Sequence, residues 1–416
     1  MKSYRLAILA FAVFVSAAVH GQLFVPLGLE IETPREMIGC FFQPQMHVEG
    51  EILCVCTKQG LYSKDLSNNE SEWQLVGFEG IPLQDYARSG NDILALRHSY
   101  YEPKVFFLLS HDGGKIYEDI TPAFFKGNGN VFMSLEQHPA DSSTLLTSSS
   151  LGYGIFLTTD FGQNWKKLAY YTPNYMGYHP MNPEIIYESY GEHFDGKTDL
   201  HISYDGGLTW EDKSSFLLGN TEIFRMAFHP TDPNRWIAGG WWCVYTTCDN
   251  GQTWGKQFFH EKQTLDDYDY LAPWRYAEYD NENANIVYMA GSYTDYMKLM
   301  CSTDGGTTWN RPYLEPIKTT PDEFIFDMKQ YRDKLLIYSQ SDVYMVSKAD
   351  LIEQTTSISE KSLTPDPSPR EKGTIYDLSG RKVSSQSSYS LPTQEGQGGS
   401  LRKGLYIVNG KKVVKM

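Results

Sequence analysis

Tyrosine, tryptophan, arginine and aspartate recur together in the polar connecting stretches of this 416-residue chain. Flat aromatic rings beside carboxylates and guanidinium groups are what a carbohydrate site needs, because they combine apolar stacking planes with fixed hydrogen-bond partners. The candidates for ligand contact are Arg97, Tyr153, Tyr175, Arg225, Trp241, Trp242, Trp274, Arg275 and Tyr293. Hydrolysis of a glycosidic bond asks for more, namely two carboxyl groups about 5 to 10 Å apart across the bond. Asp195, Asp267, Asp269, Asp295 and Asp322 are eligible, and the sequence does not choose a pair. Clustered arginines would grip a ligand carboxylate, and Arg97, Arg225 and Arg275 are the available set. No Cys/His grouping has zinc-finger spacing, and neither a metal nor a cofactor is expected.

The elements that must hold these residues announce themselves through a repeated octet. "SHDGGKIY", "TTDFGQNW", "SYDGGLTW", "TCDNGQTW" and "STDGGTTW" share the pattern Ser/Thr-x-Asp-x-Gly-x-x-aromatic. Their aspartates, Asp112, Asp160, Asp205, Asp249 and Asp304, are spaced 48, 45, 44 and 55 residues apart. A second element precedes the octets: "QHPADSSTLL", "YHPMNPEIIY", "FHPTDPNRWI" and the degenerate "EYDNENANIVY". "FFQPQMHVEGEIL" looks like a first copy, and "VYMVSKADL" like a last one that keeps only Ser347. With these ends the chain holds seven units of about 47 residues.

Each unit reads as four short strands, A to D. In one of them "MSLEQHP", "TLLTSSS", "GIFLTTD" and "WKKLAYY" alternate apolar and polar residues between turn signals. A period of this length with four strands per unit predicts an all-β, seven-bladed propeller over residues 22–356. The last unit lacks a clear strand D, which "LFVPLGLEIE" near the N-terminus can supply. The octet then spans the C-to-D turn. There its hydroxyl and carboxylate accept backbone N–H bonds, its glycine takes positive φ and its aromatic ring packs between sheets. That makes the five aspartates scaffold residues.

The octet resembles the Asp-box, or BNR repeat, found in sialidases, xyloglucan-hydrolysing glycosidases, sortilin-like receptors and photosystem II assembly-factor-like propellers. The resemblance covers about 330 residues and implies a fold more than an activity. A sialidase would open its catalytic domain with Arg-Ile-Pro; no such tripeptide occurs, and Arg35 sits in "TPREMIG". The xyloglucan-hydrolysing relatives use two facing propellers, whereas this chain has one.

Strand parity separates the two faces of the ring. A-to-B and C-to-D turns leave from one face, and B-to-C and D-to-A loops from the other. The candidates for ligand contact fall on the second face, together with the acidic and aromatic stretch "HEKQTLDDYDYLAPWR". Long loops on a rigid scaffold usually carry function.

Residues 374–416 differ in character. "TIYDLSGRKV" and "LRKGLYIVNGKKVVKM" resemble the C-terminal sorting domain of proteins exported by the Bacteroidetes type IX secretion system. This copy lacks the usual "NP" opening and carries a low-complexity insertion at 384–400; a Pro-rich linker, 357–373, precedes it. The resemblance implies recognition by the type IX export machinery and delivery to the outer-membrane surface or beyond.

The N-terminus agrees with export. A basic start and an apolar run from Leu6 to Val19 make residues 1–21 a signal peptide, leaving no transmembrane anchor. Its removal takes Lys2 and Arg5 and no acid, so the net charge moves from −15 to −17. Such a surface repels phosphate backbones, which argues against nucleic acid as a partner. The six cysteines read mostly as small buried residues, with Cys40 to Cys54 or Cys56 the plausible bridge. The expectation is an exported propeller, extracellular or on the outer-membrane surface by way of the periplasm. It binds a glycan or a surface protein on its loop-rich face; a glycoside hydrolase and a docking or assembly factor are the alternatives.

Overall fold

Alternating apolar and polar residues make short antiparallel strands, and in the computed structural model they group by fours in chain order. The structure describes residues 24–353 apart from 35–36, 38–42, 99–104, 126–131, 150–153, 172, 193–196, 218–222, 241–242, 259–273, 294–295 and 310–323, together with four short strands after residue 374. The expected signal peptide, linker and low-complexity insertion lie outside the described residues.

Blade 1 is β2–β5 (Met46–Glu49, Ile52–Thr57, Gly60–Asp65, Gln74–Gly77), and blade 2 is β6–β9 (Leu83–Ser89, Asp92–His98, Val105–Ser110, Glu118–Asp119). Blade 3 is β10–β13 (Phe132–His138, Asp141–Ser149, Gly154–Thr158, Lys166–Ala169), and blade 4 is β14–β17 (Tyr175–Tyr178, Ile186–Glu192, Lys197–Ser203, Glu211–Asp212). Blade 5 is β18–β21 (Met226–Phe228, Trp236–Gly239, Cys243–Thr247, Gly255–Phe258). Blade 6 shows β22–β24 (Tyr276–Tyr279, Val287–Tyr293, Tyr296–Ser302); its outer strand is expected in 310–323, outside the described residues. Blade 7 is β25–β27 (Ile325–Tyr331, Lys334–Ser339, Val343–Ser347), completed by β1 (Phe24–Pro26) from the start of the chain. The fold is the all-β, seven-bladed propeller that the period predicts.

Burial follows the ring. Seven apolar clusters occupy the seven seams, one between each pair of neighbouring blades, including the seam between blades 7 and 1. The octets tie these seams together. In "STDGGTTW" the Ser302 hydroxyl donates to Asp304 Oδ1 at 2.8 Å and accepts the Gly306 N–H at 2.8 Å. Asp304 in turn accepts the Thr308 N–H at 2.7 Å and its hydroxyl at 2.6 Å. The Trp309 indole N–H closes the turn on the Gly306 carbonyl at 3.1 Å. The fixed glycines, Gly114, Gly162, Gly207, Gly251 and Gly306, all have positive φ.

Both kinds of turn leave from one face. In every blade a C-to-D turn N–H bonds an A-to-B turn carbonyl: Leu66 to Glu51, Gly113 to Asn91, Phe161 to Ser143, Gly206 to Glu184, Asn250 to Asn234, Gly305 to Asn285 and Lys348 to Asp333.

Cys54 and Cys56 correct one expectation. Both are free thiols buried in the seam between blades 1 and 2, so neither bridges to Cys40, which lies outside the described residues. Cys243 and Cys301 are also free and buried, and Cys248 is free and exposed.

Residues 360–416 form a separate unit. Its sheet runs Lys382–Val383, Ile375–Tyr376, Gly404–Val408, Lys411–Lys415. Among the described residues no helix is long and apolar enough to cross a membrane.

Candidate functional site

The innermost strands surround a central channel, and what they point into it is charged. On the loop-rich face, where these strands begin, a void of about 10 Å³ is lined by Gln45, Ser134, Glu136, Tyr175, Arg225 and Tyr276. It is room for about one water. Gln45 donates its amide N–H to the Gln43 carbonyl at 2.8 Å, and its Oε1 is buried without a partner among the described residues. Deeper in, a chamber of about 160 Å³ shares Glu136, Arg225 and Tyr276 and adds Glu278, Asp327 and Lys329.

Arg225 is the central group. Its guanidinium lies 3.8 Å from Glu136 and 3.9 Å from Asp327, too far for hydrogen bonds, and it makes none among the described residues. Burial opposes its charge, but Glu136 and Asp327 outweigh burial and hold it firmly protonated. Its five donors therefore face the channel unspent.

The neighbouring carboxylates differ in how much capacity they retain. Asp327 is fully used. It accepts the Met46 N–H at 3.1 Å and the Met328 N–H at 2.9 Å, and Lys329 lies 3.3 Å away. Asp85 does the same at the seam of blades 2 and 3, accepting the Tyr86 and Leu135 N–H groups at 2.8 Å. Both aspartates sit where the ladder of an innermost strand shifts register, which turns the carboxylate towards the next blade. Glu136 is hydrogen-bonded by Ser134, and burial raises its pKa despite the pull of Arg225.

Three of the sequence candidates converge at this mouth. Tyr175 meets the Phe224 ring edge-on with centroids 5.5 Å apart, and the Arg275 guanidinium lies 5.7 Å over the same ring. Arg225 follows Phe224 in the chain and turns into the channel. The others do not join them. Arg97 lies in blade 2 over Phe106, 4.9 Å from its centroid, and lines none of these voids, so the three arginines form no cluster. Trp274 is only 4% exposed, packed in the seam of blades 5 and 6 with Ile237 and Met289. Its indole presents no open plane, which corrects the expectation that it stacks on a ligand. Tyr293 ends β23, with its side chain outside the described set, and Tyr153, Trp241, Trp242, Asp195, Asp267, Asp269, Asp295 and Asp322 lie outside the described residues.

Sequence reasoning missed Glu136, Phe224 and Asp327. The first and last lie inside innermost strands, in "SLEQH" and "IFDMK", and only Asp327 stands among apolar neighbours. An acid among apolar residues was the available signal for Asp327.

No family model matches the chain, and no curated protein matches it. Among solved structures it is similar to a GH74 xyloglucanase from Xanthomonas campestris, with 15% identity and a TM-score of 0.54 over 71% of this chain and 50% of that one. The chain thus spans about half the length of that enzyme. It is also similar to YCF48 bound to D1 peptide, with 16% identity and a TM-score of 0.54 over 79% of this chain and 96% of that one. YCF48 from Cyanidioschyzon merolae gives 12% identity and the same TM-score over 99% of its length. These likenesses establish the seven-bladed propeller fold.

Proposed function

We propose that the protein is a binding module that takes a polar ligand, in first place a glycan, at the loop-side mouth of its channel without turning it over. The observation that carries this reading is Arg225, whose unspent donors stand beside the buried carboxyl of Glu136 with the Tyr175 ring at the rim. Sugar hydroxyls donate and accept at once, so a fixed donor beside a fixed acceptor suits them. The small chamber admits one such group, and the rest of the ligand lies across the face. Glycosidic hydrolysis needs two available carboxyl groups. Of the described carboxylates around the chamber, Asp327 is spent on backbone N–H groups, and Glu136 and Glu278 are buried acids whose pKa values burial raises.

One observation favours a second reading, docking of a peptide. The likeness to YCF48 spans nearly all of that protein, and the solved structure holds a D1 peptide.

Glycan and peptide arrays probed with the intact protein, followed by calorimetry, test both. Tyr175→Ala or Arg225→Gln should weaken binding by about 1–3 kcal/mol, while Trp274→Ala should lower the melting temperature and leave affinity alone. Blank glycan arrays beside positive peptide arrays move the assignment to docking. Unchanged affinity in the Tyr175 and Arg225 variants removes this mouth as the site.

A further inference from the structure

The opposite mouth of the channel, on the face of the octets, holds a basin of about 730 Å³. It is lined by His47, Glu49, Arg88, Gln137, Glu278 and Lys329 among others, and it shares Glu278 and Lys329 with the inner chamber. Every basic group here is paired with a carboxylate. His47 Nε2 lies 2.8 Å from Asp85 Oδ1, Arg88 Nε lies 3.1 Å from Glu49, and Lys329 Nζ lies 3.3 Å from Asp327.

Arg88 gives Nε to Glu49 and lies beside the Cys54 thiol with its guanidinium 5.8 Å over the Tyr86 ring. Gln137 gives its amide N–H groups to the Arg88 and Ser142 carbonyls, both at 2.8 Å, which leaves its oxygen free. Glu278 accepts from Gln330 at 3.2 Å through Oε2 and keeps Oε1. His47 has committed Nε2 and keeps Nδ1. Donors and acceptors thus share one cavity, each held in place by a neighbour, Asp85 and Asp327 from behind its wall and Glu49 and Gln330 within it.

We propose that this basin is a second ligand site, for a neutral polyhydroxylated molecule of one or two sugar rings. The volume lies in the range of small-molecule sites. Charge selects against the alternatives. Arg88 and Lys329 are each paired with a carboxylate, and Glu278 adds a further carboxyl, so an anionic ligand meets no net attraction. An amine would have to sit between Arg88 and Lys329. A polyol satisfies donors and acceptors without bringing charge. Tyr86 supplies an aromatic ring, but it is 2% exposed with His47 edge-on at 4.7 Å, so recognition runs through hydroxyls rather than stacking. This site meets the loop-side void only through the inner chamber, with which it shares Glu278 and Lys329.

The test titrates the intact chain with neutral mono- and disaccharides, the matching uronates and the matching amino sugars, following the imidazole resonances by NMR. The His47 signal, assigned by its absence in His47→Gln, should shift saturably with a neutral sugar and less with its uronate or amino counterpart. Arg88→Gln and, separately, Gln137→Met should weaken that binding at least about tenfold, whereas Tyr175→Ala at the other mouth should leave it unchanged. A His47 signal that no probe moves overturns the proposal, and so does tighter binding of the charged sugars. Equal weakening by Tyr175→Ala would also overturn it, because the two mouths would then be one site.

Discussion

The acid–base pair of His201 and Glu188 shows how one residue's surroundings set a measurable property. Glu188 is buried in blade 4, hydrogen-bonded to His201 Nδ1, and Tyr171 stacks on the imidazole at 3.9 Å. Burial opposes the charge on His201, but the hydrogen bond and charge of Glu188 outweigh it, so its pKa lies above the usual 6.5. Burial likewise raises the Glu188 pKa above 4.5. Both shifts mean that the folded chain holds protons more tightly than the unfolded one. The His201 contribution is therefore fully present below about pH 6.5 and lost as pH rises through its raised folded value, while Glu188 begins to cost stability above about pH 4.5. Thermal melts of the native chain and His201→Gln should show a stability gap that narrows with rising pH. A gap that does not change with pH would remove the linkage. The same scale explains why Trp274 misled the sequence reading. Trp274 and Arg275 are adjacent and both were plausible ligand contacts, but alternation sends neighbours to opposite sides, one into the seam and one to the rim.

At the scale of the element, the octet is both a turn and a seam. A Cβ on Gly306 would stand 2.6 Å from Ile237 of blade 5, and one on Gly207 would stand 2.7 Å from Leu168 of blade 3. Each fixed glycine thus lets its turn press on the preceding blade. Gly305 and Gly306 separate two costs, since both have positive φ but a Cβ on Gly305 would meet only Arg235, 3.9 Å away. Gly305→Ala should therefore cost about 1 kcal/mol through φ alone, Gly306→Ala more, and Gly306→Val about 3 kcal/mol or more. Chemical denaturation measures all three, and equal costs for the two alanine variants would refute the seam contact. The octets and strand periods were legible because turn chemistry and alternation are local. The preceding "HP" element was visible as a repeat, but its work was not. His179 Nδ1 accepts the Met181 and Asn182 N–H groups, and in blade 6 Asp280 accepts those of Glu282 and Asn283 instead. The register shifts that aim Asp85 and Asp327 across seams were not legible, because they depend on which strand lies alongside.

For the whole molecule the decisive event is closure. β1 pairs antiparallel with β27, setting Phe24 opposite Val346 and Pro26 opposite Tyr344. The chain then stays fastened. Asp342 accepts the Gly28 and Leu29 N–H groups at 3.0 and 2.9 Å, the Trp73 indole donates to the Leu27 carbonyl at 2.9 Å, and Leu29 and Ile31 enter the seam of blades 7 and 1. Across that seam Tyr338 donates to the Cys56 carbonyl at 2.9 Å and Arg332 pairs with Glu51 at 2.7 Å. Residues 24–31 are thus joined to the last blade, a contact of long sequence separation whose closure entropy is recovered only when the ring shuts. Removing residues 22–32 should lower the melting temperature by more than about 5 °C, since it strips several apolar side chains and an outer strand at once. A synthetic peptide of residues 22–33, added to the truncated chain, should restore some of the loss in proportion to its concentration, because it binds only the closed form. A truncated chain that melts with the full one would show that the seam of blades 7 and 1 holds without its strap.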